Sequence, residues 1–224
     1  GNDNLRGGLG NDIYSFDADS ALGSDILQDT GGQDLLDFSQ TTTLGVNVNL
    51  NNTAAQVVNS FLTLTLPPEI ENVVGGAKAN ILIGNNLANI LIGGASSDTL
   101  SGGGGRDILI GGSGIDTVHG GLGEDIVIGG TVTYYDETTK VIQYSNLLSL
   151  MNEWTQATTY AVRVNNLLNG GGLNGTNKLN SSTVKSDNGA IDQLFGDEDD
   201  DWFLVSPEDS LNDWQSARET KTTV

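Results

Sequence analysis

Apolar residues recur at every ninth position between Gly75 and Ile128, and glycines flank them in a fixed order. The segment divides without a gap into six nonapeptides, GGAKANILI, GNNLANILI, GGASSDTLS, GGGGRDILI, GGSGIDTVH and GGLGEDIVI. Position 8 always holds an apolar residue: Leu82, Leu91, Leu100, Leu109, Val118 and Val127. Glycine adopts backbone angles that a β-carbon forbids, so the first six residues predict a tight loop and the last three a short strand. Two repeats then make one coil of 18 residues.

Positions 7 and 9 flank the inward residue and point away from the coil. Because successive repeats alternate between two sides, the second, fourth and sixth repeats give one outer face six isoleucines: Ile90, Ile92, Ile108, Ile110, Ile126 and Ile128. The opposite face carries mostly polar residues after its first repeat: Ile81, Ile83, Thr99, Ser101, Thr117 and His119. Soluble proteins seldom leave an apolar stripe of this size in water, so we expect a cover.

The chain downstream has apolar residues at helical spacing, which predicts helices that could form this cover. The segment from Asn146 to Gln156 has four large apolar residues on one helical face: Leu147, Leu150, Met151 and Trp154. A second helix, capped by Thr158 or Thr159 and ended by glycines 170–172, has its own stripe: Tyr160, Val164, Leu167 and Leu168. We expect this helical pair to pack on the isoleucine face.

Strand patterns occupy the rest of the chain. Alternation in LGVNVNL and FLTLTL, between Thr41 and Glu71, predicts strands with one buried face, in which no functional chemistry is visible. After the helices, LNSSTV, AIDQLF and DWFLV predict a return to short strands. The predicted fold class is mainly β: a parallel β-helix (β-roll) solenoid with 18-residue coils and a small helical pair covering one face. We divide the chain into a partly degenerate repeat block (1–40), connecting strands (41–74), the main repeat block (75–130) and a C-terminal part (131–224).

Position 6 of the repeats carries the candidate chemistry. Four of the six repeats have an aspartate there: Asp98, Asp107, Asp116 and Asp125. Carboxylate oxygens beside a carbonyl-rich loop are ligands that suit Ca²⁺. The neutral amides of Asn80 and Asn89 at the same position predict weaker or empty sites.

Asp12, in GGLGNDIYS, and Asp201, in GDEDDDWFL, also stand at position 6 of a nonapeptide. The acidic residues 197–200 either bind a further ion together with Asp192 or form a solvated acidic turn, and the sequence leaves both open. Asp25, Asp34 and Asp37 lie in degenerate repeats whose spacing departs from nine residues, so we assign them no ligand role.

The nonapeptides resemble those of the repeats-in-toxin (RTX) family, whose pattern is GGxGxDxUx with U apolar. The resemblance implies several Ca²⁺ ions held between loops stacked on the same side, so that Asp98 shares an ion with Asp116, and Asp107 with Asp125. It also implies ligands from the loop residues Gly93, Ala95, Gly102, Gly104, Gly111, Gly112, Ser113, Gly114, Gly120, Gly121 and Gly123.

The order of motifs after the repeats, from GG and YYD through two helices to DWF, resembles the C-terminal region of large bacterial calcium-binding repeat proteins. This resemblance implies a type I secretion machinery as partner, with an uncleaved signal within Ser210–Val224, and a secreted or cell-surface location. Gly1–Arg6 matches positions 4 to 9 of a repeat, so we expect the rest of a longer chain to precede Gly1.

Composition supports cation binding. The 9 Lys and Arg against 29 Asp and Glu give a formal charge of -20, which divalent ions would compensate. Such a charge argues against nucleic acid and anionic membranes as partners. The chain has no cysteine and no apolar run long enough for membrane insertion, so we expect ions, rather than disulfides or a large apolar interior, to hold the coils together.

The sequence has few of the side chains and motifs that catalytic sites use. His119 is the only histidine, and GxSxG, HExxH and phosphate-loop motifs are absent. We therefore predict that the chain is not an enzyme but a calcium-binding module that folds outside the cell and supports secretion of a larger protein. Two alternatives stay open: the C-terminal part of an extracellular protease or lipase, and a surface adhesin or S-layer spacer that self-associates through its isoleucine face.

Overall fold

The position-8 side chains stack between two parallel sheets in the computed structural model, which describes residues 1–224, and all six are fully buried. One sheet has eight strands, numbered along the chain: β2 (Ile13–Ser15), β4 (Leu35–Asp37), β8 (Asn72–Val74), β10 (Ile90–Ala95), β12 (Ile108–Ser113), β14 (Ile126–Ile128), β20 (Trp202–Val205) and β22 (Thr220–Thr223). The facing sheet has six: β5 (Asn47–Asn49), β9 (Ile81–Ile83), β11 (Thr99–Gly104), β13 (Thr117–Leu122), β19 (Gln193–Asp197) and β21 (Ser210–Leu211). The predicted parallel solenoid is confirmed.

The N-terminal block adds a third sheet beside these two. It has four strands: β1 (Asn4–Arg6), β3 (Gly23–Gln28), β7 (Leu62–Thr65) and β6 (Gln56–Asn59). The first three are parallel, whereas β6 and β7 form an antiparallel pair within the predicted connecting strands.

The loops are shorter than the sequence predicted. Strands β10, β11, β12 and β13 continue through the first three positions of the following repeat, so only positions 4 to 6 turn. The extension follows from pairing between equivalent glycines, such as Gly94 with Gly112. Gly112 and Gly114 have φ of 106° and 135°, a region that L side chains rarely adopt, which explains glycine at positions 2 and 4.

After β14 the chain leaves the solenoid, and it returns at β19. We call residues 130–191 the excursion. It contains two short antiparallel pairs and two helices: β15 (Thr131–Val132), β16 (Tyr135–Asp136), β17 (Val141–Ile142), α1 (Tyr144–Trp154), α2 (Tyr160–Asn169) and β18 (Val184–Lys185). The strand predicted for LNSSTV is reduced to Val184 and its neighbour, because Asn180–Thr183 form a turn closed by backbone hydrogen bonds.

The helical pair covers the isoleucine face, as predicted. All six isoleucines are at most 2 % exposed and share one cluster with α1 and α2. The face is thus occupied within the chain, which removes the observation behind self-association through it. Thr159 stands at the N-cap of α2 but its side chain makes no capping hydrogen bond there, and Gly170 ends the helix.

Two apolar layers hold the structure together. One cluster of 24 buried residues fills the solenoid, and a second of 23 lies between the eight-stranded sheet and the excursion. The expectation that ions replace a large apolar interior is therefore wrong. Each half-turn of the solenoid still buries one apolar side chain, and a second apolar cluster of similar size lies under the helical cover. Neither helix is long and apolar enough to cross a membrane.

The two outer faces should lose different amounts of stability on the same substitution. Ile108 is fully buried under the cover, whereas Ile81, at the same position of its repeat, is 44 % exposed on the opposite sheet. We expect Ile108→Ala to lower the free energy of unfolding by about 2–4 kcal/mol and Ile81→Ala by about 1 kcal/mol or less. Urea unfolding in excess calcium measures both, and equal losses would contradict the assigned cover.

Candidate metal sites

Acidic side chains stack in two rows along the edges of the solenoid, each just before a strand. The row before the strands of the six-stranded sheet, which we call the six-strand ladder, contains Asn80, Asp98, Asp116, Asp192 and Asp209. The row before the eight-stranded sheet, the eight-strand ladder, contains Asp12, Asp34, Glu71, Asn89, Asp107, Asp125, Asp201 and Glu219. Both rows arise because the register pairs equivalent positions of successive coils.

One oxygen of each stacked carboxylate has a defined partner. The backbone N–H of Asp98 donates to Asp116 Oδ1 at 2.8 Å, and that of Asp107 donates to Asp125 Oδ1 at 2.8 Å. The pairs that the RTX resemblance implies are therefore neighbours. The same bond continues from Asp125 N–H to Asp201 Oδ1 at 2.8 Å.

The other oxygen is buried without a hydrogen-bond partner. This holds for eight aspartates of the two ladders: Asp12, Asp34, Asp98, Asp107, Asp116, Asp125, Asp192 and Asp201. Seven of these side chains are at most 2 % exposed, Asp12 being only partly buried. An ionised carboxylate in such surroundings is costly unless a cation or a proton compensates it.

The asparagine repeats show what the loop carbonyls require. Asn80 Nδ2 donates to Gly93 O at 3.0 Å and to Gly76 O at 3.2 Å, so it supplies N–H groups where carbonyl oxygens converge. In the next coil, Asp98 Oδ2 takes the equivalent place. A β-carbon on Gly93 would lie 2.6 Å from that oxygen and 2.5 Å from Gly111 O. Several oxygen acceptors thus face one small space, a donor set that suits Ca²⁺.

Burial changes the acidity of the ladder groups. Among the protein groups alone, desolvation raises the pKa of Asp98 to about 8 and that of Asp116 to about 7. Burial, with the nearby charge of Asp107 adding to it, raises the pKa of Asp125 to about 10, and burial raises the pKa of Asp107 well above its ordinary range. Burial therefore favours the protonated form of these carboxyls, and a cation that binds them must displace protons.

The N-terminal block gathers a further acidic group. Ligand oxygens of Asp12, Asp29 and Asp34 lie within 4.8 Å of one another, and Tyr14 donates to Asp29 Oδ2 at 2.5 Å. Asp34, for which no ligand role was predicted, accepts the N–H of Asp12 at 2.8 Å, and Asp25 accepts that of Asp3 at 2.8 Å. The two residues of each pair are 22 positions apart, so this coil is longer than the coils of the main block but stacks in the same way. Asp37 lies within β4, outside the ladders.

Sequence reasoning missed Glu71 and Asp209 and misplaced Asp192. Glu71 is 5 % exposed, and its Oε2 accepts the N–H of Asp34 at 2.8 Å, so the connecting strands do contribute to a ladder. Asp192 receives the N–H of Asp116 at 2.8 Å and therefore lies in the opposite ladder from Asp201. The available signal was an acidic residue immediately before a strand.

The helical cover contacts the loop that carries Asp125. Trp154 Nε1 donates to Glu124 O at 2.8 Å, and the buried guanidinium of Arg163 pairs with the Glu124 carboxylate. Arg106 pairs with the same carboxylate at 2.7 Å, and Arg163 lies 5.1 Å from the centre of the Trp154 ring. The cover therefore fixes the residue next to a ladder aspartate.

Stacked glycine loops with inward carboxylates define this chain as a calcium-repeat solenoid. Residues 1–20 and the overlapping segments 70–100, 83–118 and 101–131 match the family described as RTX calcium-binding nonapeptide repeat (4 copies). Residues 1–20 and 70–131 thus match RTX calcium-binding nonapeptide repeats, as the motifs in these segments predicted. No curated protein matches it. The matched repeats are a structural calcium-binding unit, and the ligand role of each individual residue stays a prediction.

The raised pKa values predict that acid partly replaces the cation. The folded pKa values of Asp98 and Asp116, about 8 and about 7, lie above the ordinary value of about 4, so the folded chain binds more protons between these limits. In chelator, stability should be present near pH 4 and decrease as pH rises to about 8. In excess calcium the trend should reverse, since the ion binds ionised carboxylates.

Far-ultraviolet circular dichroism at about pH 5 and pH 8, in chelator and in calcium, measures the ordered fraction. Asp116→Asn should weaken the pH dependence in chelator, whereas Asp136→Asn, at the exposed last residue of β16 and outside the ladders, should not. An ordered fraction in chelator that is the same at both pH values would rule out the linkage.

Proposed function

We propose that this chain is a calcium-binding module that folds when calcium fills its loops, and that it has no reaction of its own. The observation that supports this most directly is the row of buried, unpartnered aspartate oxygens beside glycine-loop carbonyls. We assign the ligand roles to Asp98, Asp107, Asp116, Asp125, Asp12 and Asp201, and we add Asp34 and Asp192 because they show the same geometry. The loop ligands are the residues implied by the family resemblance.

Folding follows from the cost of leaving these groups without a cation. Ladder aspartates of successive coils repel one another when ionised, and the glycine loops lose much backbone entropy on ordering. Calcium offsets both terms because each ion binds oxygens from adjacent coils. Each filled site adds about 1–3 kcal/mol at saturating calcium, so several sites acting together favour the compact chain.

We propose a location outside a bacterial cell, at the surface or secreted, with the type I secretion machinery as partner. Extracellular calcium modules have dissociation constants of about 10⁻⁴–10⁻³ M, so such sites stay empty inside the cell and fill outside it. A chain that remains unfolded before export and compacts afterwards meets the needs of secretion in an extended state. The absence of cysteine agrees with ions, rather than disulfides, as extracellular cross-links.

A calcium titration followed by circular dichroism tests the proposal. We expect ordering with a midpoint of about 10⁻⁴–10⁻³ M, and no ordering with magnesium, which keeps its water and demands a stricter geometry. Asp107→Asn should raise the midpoint about tenfold or more, because an amide replaces a ligand carboxylate. The matched control is Glu69→Gln at an exposed acid outside the ladders. A chain fully ordered in excess chelator near neutral pH would refute the proposal.

A further inference from the structure

One loop of the six-strand ladder is assembled from two distant parts of the chain. Gly129 follows β14 as the first glycine of a half-turn, but the aspartate of that half-turn is Asp192, on the far side of the excursion. Gly112 N–H donates to Gly129 O at 3.2 Å, and Asp116 N–H donates to Asp192 Oδ1 at 2.8 Å. The two parts therefore stack on the Gly111–Asp116 loop as a single loop would. We call this the split loop.

The split loop has the same unpartnered oxygen as the contiguous loops. Asp192 is fully buried, and its Oδ2 has no hydrogen-bond partner. A β-carbon on Gly129 would lie 2.5 Å from Asp192 Oδ2 and 2.9 Å from Asp209 Oδ2. The carboxylate after the excursion thus points at the glycine before it, as Asp98 points at Gly93 within one repeat.

The excursion adds an acidic group at this edge. Asp187 Oδ2 accepts the N–H of Gly114 at 3.2 Å, and Asp187 Oδ1 is buried without a partner. Glu137 Oε1 accepts the N–H of Ser113 at 3.0 Å, so both ends of the excursion place a carboxylate on the loop that precedes the split loop.

Few backbone bonds join the two ends of the excursion. The strands β15 and β18 pair through Thr131 with Lys185 and Val132 with Val184, and Thr133 N–H donates to Thr183 O at 2.8 Å. An isolated strand pair this short is marginally stable. A cross-link between two chain segments stabilises most when it closes a long loop, because the unfolded chain then loses most freedom.

We propose that a calcium ion in the split loop cross-links the two ends of the excursion, so that, among the sites of the six-strand ladder, this one controls docking of α1 and α2 on the isoleucine face. The inference rests on the proposed function and adds to it a site with a distinct task. Ions in contiguous loops join neighbouring coils, whereas this ion also closes the excursion.

The decisive comparison is Asp192→Asn against Asp98→Asn, at equivalent positions of the same ladder. Bound calcium per chain is counted by elemental analysis, and amide hydrogen exchange is measured by mass spectrometry in excess calcium. We expect each variant to lose about one ion. Amides of α1 and α2 should exchange about tenfold faster or more in Asp192→Asn and at the wild-type rate in Asp98→Asn. Protection of β11 and β12 reports in both variants that the solenoid is folded.

Glycine substitutions test the same site with every carboxylate retained. Gly129→Ala would place its methyl group against the Asp192 and Asp209 carboxylates, and Gly93→Ala would place one against Asp98 in a contiguous loop. Neither glycine has a positive φ. A methyl group on Gly93 would also meet the backbone at Gly111 O, 2.5 Å away, so Gly93→Ala disturbs its coil at least as much as Gly129→Ala does. We expect Gly129→Ala, and not Gly93→Ala, to reproduce the faster exchange in α1 and α2.

A covalent cross-link separates the ion's cross-linking role from simple packing of Asp192. The chain has no cysteine, and Thr131 and Lys185 are paired where the two ends of the excursion meet, in strands β15 and β18. Adding Thr131→Cys and Lys185→Cys to Asp192→Asn and oxidising the pair should restore slow exchange in α1 and α2 without restoring the ion.

Four results would overturn the inference. They are an unchanged ion count in Asp192→Asn, loss of an ion with wild-type exchange in the helices, equal loosening in Asp98→Asn, and no rescue by the disulfide. A wild-type chain that binds no calcium would instead refute the proposed function, and this inference with it.

Discussion

This structure depends on one constraint: the fold encloses carboxylates that have one oxygen hydrogen-bonded and the other oxygen bare, that is, without a hydrogen-bond partner. The bonded oxygen accepts a backbone N–H from the previous coil, as Asp116 Oδ1 does from Asp98, and so fixes the stacking. The bare oxygen faces further acceptors, since the nearby loop offers carbonyl groups. No donor of the protein reaches the bare oxygen, so a proton or a cation is needed to compensate its charge. Under the proposed function, calcium and protons therefore act on stability through the same atoms.

Apolar packing and the ladders have different tasks. The cluster of 24 residues inside the solenoid and the cluster of 23 under the cover provide most of the area removed from water. Packing alone, however, brings like charges together, because each coil that stacks adds another aspartate to a row. The apolar layers position the carboxylates, and in the proposed function a cation offsets the repulsion between them. Asn80 illustrates the alternative, in which an amide provides its own donors to Gly93 O and no ion is needed for hydrogen bonding.

Predictions from the sequence were most accurate where the pattern was local, although loop lengths and one short strand differed. The nine-residue register identified the inward residues and the isoleucine face, and helical periodicity identified the two amphipathic helices, because each follows from spacing within a short segment. Ladder membership is not local. Asp34 donates its N–H to a residue 37 positions away, and Asp116 to one 76 positions away, because a longer coil and the excursion intervene. Position relative to the next strand, rather than spacing from the previous aspartate, determines which acids join a ladder.

The cover and the loops are energetically coupled through Glu124. Its carbonyl accepts the Trp154 indole N–H and its carboxylate pairs with the buried Arg163, while the next residue, Asp125, belongs to the eight-strand ladder. Docking of the helices therefore restricts the backbone that positions a ladder carboxylate, and an ion that orders this loop favours docking by the same amount, since coupling free energies are reciprocal. An arginine buried against an acidic solenoid is thus more than a contact in an apolar layer. It makes the helical cover sensitive to the occupancy of loops that it does not enter.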